Sequence, residues 1–364
     1  MLLLAVAGAL VQLRADSNTD VAHGLPASLL PERADFMMVW QPAAALVHGQ
    51  GAYPWFGDHF VLGYAPPFIV LFAPFGFLSH DLAIFLSVAL TVILAGGTVI
   101  AWAGSAHRVE PWVLALLVSA PLVSAVRVDQ FMSAMGLAAL SLAIWASRRD
   151  LWWLAGAAAA LGLTRTSNAL PVAAMLLVSG WGRPRRLLEA AAGGALLLAP
   201  LILVAFAWDA SWIHDYAHNL SFYPIVGLAR VVRQLGGEAG DVGFVLAGCG
   251  IAAASVWPCR GRPLDLDRAA FGLATTAIFA SQGGLFTGLF VLPAVTRLSL
   301  RPGFVAVAWL VAAVPWLAIL VPASRILGTH SYDTNLLTLL VPMMVIVCYP
   351  LVRSSGSSSA LASR

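Results

Sequence analysis

Lysine is absent from the 364 residues; all 20 basic side chains are arginine. Charged residues of every kind make up only 10% of the chain, against about 25% in a soluble domain. That shortage excludes a cytosolic enzyme and a disordered regulator. A net charge of +3 is also too small for a nucleic-acid binder, which neutralises phosphates with many cations. Cysteine is scarce as well. Cys249, Cys259 and Cys348 stand far apart with no C-x-x-C pair, so they read as small buried apolar residues and not as a disulfide framework or a metal site. What fills the chain instead is apolar: 60% hydrophobic residues and a mean hydropathy of +0.87, in blocks that run from end to end. No long polar window is left in which a soluble domain could fold. The expectation is an all-α, polytopic membrane bundle forming a single domain over 1–352, with a short polar cytoplasmic tail at 353–364.

Apolar stretches at 1–13, 81–103, 111–126, 131–147, 151–163, 168–180, 187–207, 242–257, 269–281, 284–296, 303–321 and 335–352 predict about 10–12 spans. Met1–Leu13 is shorter than a crossing and lacks the basic start and cleavage site of a secretory leader, so it reads as a short first span. The pairs 151–163/168–180 and 269–281/284–296 read as helical hairpins broken at Thr164-Arg165 and at Gln282-Gly283-Gly284. Broken helices are tolerated at membrane depth only when buried in protein or lining a wet cavity. Helices over 60–79 and 223–235 read as re-entrant or interfacial.

The arginines set the sides. Arg148/Arg149, Arg183/Arg185/Arg186, Arg260/Arg262/Arg268 and Arg297/Arg301 mark alternate connections, and Arg108, Arg353 and Arg364 agree with them. Positive charge stays inside, so the loops 14–63, 208–222 and 322–334 are expected to face outward. Seven of the eight histidines, all but His107, fall on that outer side. Chemistry is therefore expected outside, in the plasma membrane's outer face.

The richest stretch runs from Arg33 to Phe68. Apolar residues at 36, 39, 40, 43, 46 and 47 recur at helical spacing, which predicts an amphipathic helix at the outer interface beginning at Asp35. Two roles are open for Asp35: an N-cap that accepts a free amide of the first turn, or a general base held at the mouth of an outward cavity. The loop 208–222 carries Asp209, His214, Asp215, His218 and Asn219. His214 and His218 have the i, i+4 spacing of metal ligands, but no H-E-x-x-H motif accompanies them, and no metal is expected. Asp265-x-Asp267 lies among arginines on the inner side and reads as a solvated loop. His330 and Tyr332 open the last span, where helix capping and substrate contact both remain open.

Asp35-Phe36, a helix with an Ala pair, Gly49, Tyr53-Pro54 and Tyr64-Ala-Pro66-Pro67-Phe68 resemble the first outer loop of glycosyltransferase family 87, polytopic GT-C-type enzymes that use polyprenyl-phosphate sugars. Asp129-Gln130 is similar to that family's Gly-Gln-x-Asn segment, with Asp129 in place of the Gly. Arg165 stands where the family usually has a Lys, and Asn219-Leu220-Ser221 resembles its Asn-x-Ser. Gln282-Gly283-Gly284 occupies the place of an expected His-Tyr pair.

The resemblance implies a GT-C-like fold and inverting transfer of a sugar, usually mannose, to a lipid-linked or glycan acceptor, with no cofactor. It implies Asp35 as the base. A lipid phosphate leaves as a stable anion and needs little acid help, whereas a hydrolase would want a pair of carboxyl groups. Arginine suits the leaving phosphate; the outer-side candidates are Arg127, Arg165, Arg230 and Arg233, with Arg165 foremost as an intramembrane charge. Tyr64, Asp129, Gln130, His214, Asn219, His330 and Tyr332 are the candidate substrate contacts. The competing reading is a transporter or flippase for a lipid-linked or anionic solute, with the two hairpins as its paired repeats; a scaffold in polysaccharide assembly is a third.

Overall fold

The computed structural model describes residues 36–50, 64–104, 130–222, 228–279 and 285–301, together with positions 119, 122, 125, 305 and 306. The spans expected at 1–13 and 335–352, nearly all of those at 111–126 and 303–321, the loop 322–334 and the tail 353–364 lie outside them. Every regular element among the described residues is helical.

Helix α1 (Met37–Val47) is followed by two short helices, α2 (Pro66–Leu71) and α3 (Ala73–Gly76). Then come α4 (His80–Ala103), α5 (Phe131–Arg148), α6 (Trp152–Gly162), α7 (Thr166–Ser179) and α8 (Pro184–Trp208). The remainder is α9 (Trp212–Phe222), α10 (Leu228–Val256), α11 (Leu266–Ile278) and α12 (Leu292–Ser299). Helical turns at Leu163–Arg165 and Leu285–Val291 lead into α7 and α12. By length and apolar composition, the stretches at α4, α5, α6–α7, α8 and Leu235–Cys259 could each cross a bilayer.

The stretch from Trp152 to Ser179 is nevertheless two arms and not one crossing. Its first arm starts beside the head of α8, where Asp150 meets Arg186 at 2.6 Å. Its second arm ends beside the α10–α11 connection, where the Ser179 hydroxyl donates to the Arg262 carbonyl at 2.8 Å and Gly261 N–H donates to Val178. The two starting points are near one another, because Arg148 lies within electrostatic reach of Asp265 and Arg297. The chain thus rises along α6, turns at Arg165 and returns along α7, as the hairpin reading expects. A second rise and return is made by α11 and by Leu285–Ser299, which pack on each other and close with Arg297 and Arg301 against Asp267 at 2.7 and 2.6 Å.

All four inner arginine groups named above therefore gather at one end of the bundle. Asp150 makes the turn between α5 and α6 with φ 63° and also accepts from the Trp152 indole at 2.9 Å. Aspartate tolerates this left-handed conformation better than most side chains. Asp267 departs from the solvated-loop expectation: its carboxylate is largely buried between two guanidinium groups. Asp265 caps α11 by accepting from Arg268 N–H at 3.0 Å.

Two other expectations change. The residue flanking α1 is Phe36, so a phenylalanine, and not Asp35, occupies the N-cap; Asp35 itself lies outside the described residues. The loop expected at 208–222 is mostly helix α9. Ser211 starts it, with its backbone N–H on Asp209 at 2.9 Å and its hydroxyl between the Asp209 and Asp215 carboxylates, and Asp215 in the first turn suits the helix dipole. The helix expected at 223–235 is described from Leu228 and, as expected, is separate from the next span, the chain turning between them at Gly237. There φ is 61° and ψ −148°, a backbone that only glycine adopts without strain.

Lipid tails are as apolar as leucine, so helices in a bilayer associate through close packing of small residues. Helices α6 and α8 show this. A Cβ on Gly156 would stand 1.7 Å from the Ala190 carbonyl oxygen, and one on Gly193 would stand 1.8 Å from that of Trp153. The outer side of α8 is left exposed, with Leu188, Leu196 and Leu203 unburied, as a lipid-facing helix requires. Gly→Ala in a helix ordinarily stabilises by about 1 kcal/mol. Here Gly156→Ala and Gly193→Ala are expected to lower the apparent Tm in detergent, while Gly97→Ala in α4, with open space around it, leaves or raises it. The same sign for all three would contradict the close α6–α8 approach.

Candidate active site

The turn at Arg165 lies at the end of the bundle away from the arginine groups. Arg165 takes non-helical dihedrals (φ −126°, ψ 75°) between the two arms, and its side chain is 7% exposed. An intramembrane guanidinium needs several partners. One is Gln130, 2% exposed, at the head of α5: an Arg165 Nη–H donates to the Gln130 amide oxygen. The Ser133 hydroxyl donates to the same oxygen at 3.0 Å. Both lone pairs of that carbonyl are thereby used. The Tyr64 ring, itself buried, lies 5.6 Å from the guanidinium carbon, within the range of a cation–π contact. The arginine stem and the Phe290 ring meet over Gly136, so the second hairpin also reaches this site.

Three residues distant in sequence, Tyr64, Gln130 and Arg165, thus converge at one point. Ser133 and Asn168 were not anticipated. The Asn168 amide donates to the Thr276 carbonyl at 3.0 Å and to its hydroxyl at 3.1 Å. Thr276 is in the last turn of α11, where carbonyls lack intrahelical partners, so Asn168 ties one hairpin tip to the other. A polar run, Thr164-Arg165-Thr166-Ser167-Asn168, inside an apolar hairpin was the signal that could have marked it.

The wall facing this cluster is aromatic. Phe36 is 1% exposed and packs edge-on against Phe72, Phe75 and Phe131 at 5.2–6.5 Å. Phe131 directly follows Gln130. The start of α1 is therefore packed next to the head of α5. Trp208, at the end of α8, donates from its indole to the Gln50 carbonyl at 2.9 Å and fastens α1 from its other end.

The remaining predicted residues are placed differently or not described. Arg233 sits on α10 before the Gly237 turn and pairs with Asp241 beyond it, at 3.6 Å. His214 is exposed on α9. Asn219 belongs to α9 and Arg230 to α10 by backbone alone. Asp35, Arg127, Asp129, His330 and Tyr332 lie outside the described residues. Among the described residues no group of three His, Cys, Asp or Glu side chains converges as a metal site would.

A family model for glycosyltransferase family 87 matches residues 60–287, well over half of the chain. The match covers Tyr64, Gln130, Arg165 and both arms of the first hairpin. No curated protein and no solved structure matches significantly.

Gln130→Leu removes the carbonyl that Arg165 and Ser133 share, while Ser133→Ala removes one neutral hydrogen bond worth about 1 kcal/mol. Thermal unfolding in detergent is expected to show a clearly larger drop for Gln130→Leu, because a buried charge loses a partner. Equal drops would mean that the Gln130 carbonyl does not hold the guanidinium.

Proposed function

The chain belongs to glycosyltransferase family 87, and on that premise we propose that it moves a sugar, mannose by resemblance to the family, from a polyprenyl-phosphate sugar to a lipid-linked or glycan acceptor. The carrying observation is the convergence of Tyr64, Gln130 and Arg165 at a buried hairpin tip, at the end of the bundle opposite the arginine-rich connections. By the positive-inside rule that arginine-rich end is cytoplasmic. The site then opens on the extracytoplasmic face of the plasma membrane, within a GT-C-like bundle. Nucleotide sugars are not available there, which favours a lipid-linked donor and requires no cofactor.

In the proposed reaction Asp35 takes the proton of an acceptor hydroxyl. The oxygen attacks the anomeric carbon on the side opposite the phosphate, and the bond from that carbon to the phosphate oxygen breaks. The bonding electrons leave with the polyprenyl phosphate, so the anomeric centre is inverted. Arg165 holds the phosphate oxygens with its planar fork of N–H donors, and Gln130 keeps that fork in place. The position of Asp35 in this scheme is supported by its neighbour: Phe36 packs on Phe131, the residue after Gln130. Asp129, Arg127, Arg230, His214, Asn219, His330 and Tyr332 are further proposed contacts to donor or acceptor, at the outer surface.

The alternative is a transporter or flippase, favoured by the presence of two hairpins that rise from the same end. Transfer separates the readings. Purified chain in proteoliposomes is supplied with polyprenyl-phosphate mannose, glucose or arabinose and a lipid-extract acceptor. Wild type is expected to transfer one of these sugars. Asp35→Asn is expected to lose at least about 100-fold in rate, the general-base share of such a step, while still binding donor, and Arg165→Gln to weaken donor binding. Full activity in Asp35→Asn refutes the base. No transfer from any donor by folded wild type favours the transporter.

A further inference from the structure

Helix α1 has a second face that the site above does not use. Phe36, Val39 and Ala43 turn toward Tyr64 and Phe131. Trp40, Gln41, Ala44 and His48 follow one another at helical spacing on another side and, with Gln50, Leu78 and Ser79, line a separate cavity of about 480 Å³. That volume falls within the roughly 300–1,000 Å³ of small-molecule sites. Gly76 and Phe77 complete its wall, and Phe77 is largely exposed at its edge.

The chemistry of the lining is specific. It offers an indole, an imidazole, two carboxamides and a hydroxyl, and none of its residues carries a fixed charge. A phosphate or carboxylate would want a cation there, and a lipid tail would want none of the polar groups. An aromatic ring among neutral donors and acceptors suits a polyhydroxylated ring, with hydrogen bonds to its hydroxyls and apolar contact to its C–H faces. The Trp40 indole belongs to the wall through its ring; its Nε1–H, shut off from water, does not reach the cavity. The ring itself is fixed against His80 at 5.6 Å.

The cavity's position agrees. Ser79 immediately precedes α4, a 24-residue apolar helix, so the cavity stands where that span begins, at the bundle end that carries Arg165. Only α1, about 10 Å across, separates it from the aromatic wall of the first site.

We propose that this cavity is a binding site for a neutral oligosaccharide, namely the part of a glycan acceptor remote from the reacting hydroxyl. The acceptor role rests on the transferase reading; the saccharide binding does not. Remote contacts of this kind spend binding energy on positioning the reacting group.

The test uses the full chain purified in detergent, with saturation-transfer NMR against α-1,6-mannotriose, maltotriose and arabinotriose and no donor present. Wild type is expected to bind at least one trisaccharide saturably. Trp40→Ala, which removes the ring, and the surface pair Gln41→Ala/His48→Ala are each expected to weaken it at least fivefold. Arg185→Gln, at the opposite end, serves as the unchanged control. No trisaccharide bound, or binding insensitive to the surface pair, overturns the site. A chain that binds the trisaccharide but transfers no sugar overturns the transferase reading and leaves the saccharide site standing. A chain that transfers sugar with acceptor KM unchanged in the surface pair does the reverse.

Discussion

Hydrocarbon offers a peptide group no partner, so a helix that stops inside an apolar bundle must be answered by protein. The turn at Arg165 is where this structure meets that constraint, and its other features follow from how it does so. The Thr164 and Thr166 hydroxyls donate to the Leu161 and Leu163 carbonyls at 3.1 and 3.0 Å, using acceptors that the interrupted helix leaves open. Asn168 does the same service for the neighbouring hairpin at Thr276. Gln130, from a third element, meets the guanidinium. Three elements are thereby tied at one depth by directional bonds. A tip held in this way is rigid enough to be a site, since a displaced partner leaves a buried polar group unmatched, a cost of about 1–3 kcal/mol.

The two ends of the bundle are built on different physics. At the arginine-rich end, ion pairs join connections: Asp267 between Arg297 and Arg301, Asp150 with Arg186. Those bonds fix the feet of both hairpins, so the tips are positioned from below by electrostatics. Between the ends, glycine contacts bring α6 and α8 together. At the other end the cement is aromatic, three phenylalanines around Phe36 with Trp208 anchoring Gln50. Edge-to-face pairs contribute about 0.5–1.5 kcal/mol each beyond their burial, and they hold α1 without using any polar group that the site needs.

Most of the architecture was legible in the chain because hydropathy blocks and arginine placement are strong, long-range signals. Both hairpins, the limits of α4 and α5, and a helix over 36–47 were readable this way. Features decided by single residues were not. Asp35 is a good N-cap type, yet the helix begins one turn position later, on Phe36, because that ring has an aromatic wall to pack against. The stretch 208–222 reads as loop from its charge content, but the Asp209–Ser211–Asp215 cluster starts a helix there. Within the site, Arg165 and Gln130 were marked by family pattern; the polar run that holds Asn168 stands out too, but its partner Thr276, 108 residues away, is encoded by no local pattern.

The division of labour at the hairpin tip constrains any chemistry performed there. The guanidinium offers only N–H donors, and neither the amide of Gln130 nor the ring face of Tyr64 accepts a proton readily. This cluster is therefore suited to hold an anion and unsuited to move a proton, and a transfer reaction must draw its base from another segment. The segment that begins at Phe36 is brought to the neighbouring wall by the phenylalanine cluster, and the carboxylate proposed as the base, Asp35, is its sequence neighbour. Phosphate holder and base would then be set relative to each other by apolar packing between α1 and α5. Catalytic geometry tolerates errors of well under about 1 Å, so the precision of the reaction would rest on close-packed rings. That places the burden of alignment on Phe36, Phe72, Phe75 and Phe131, none of which needs to touch a substrate.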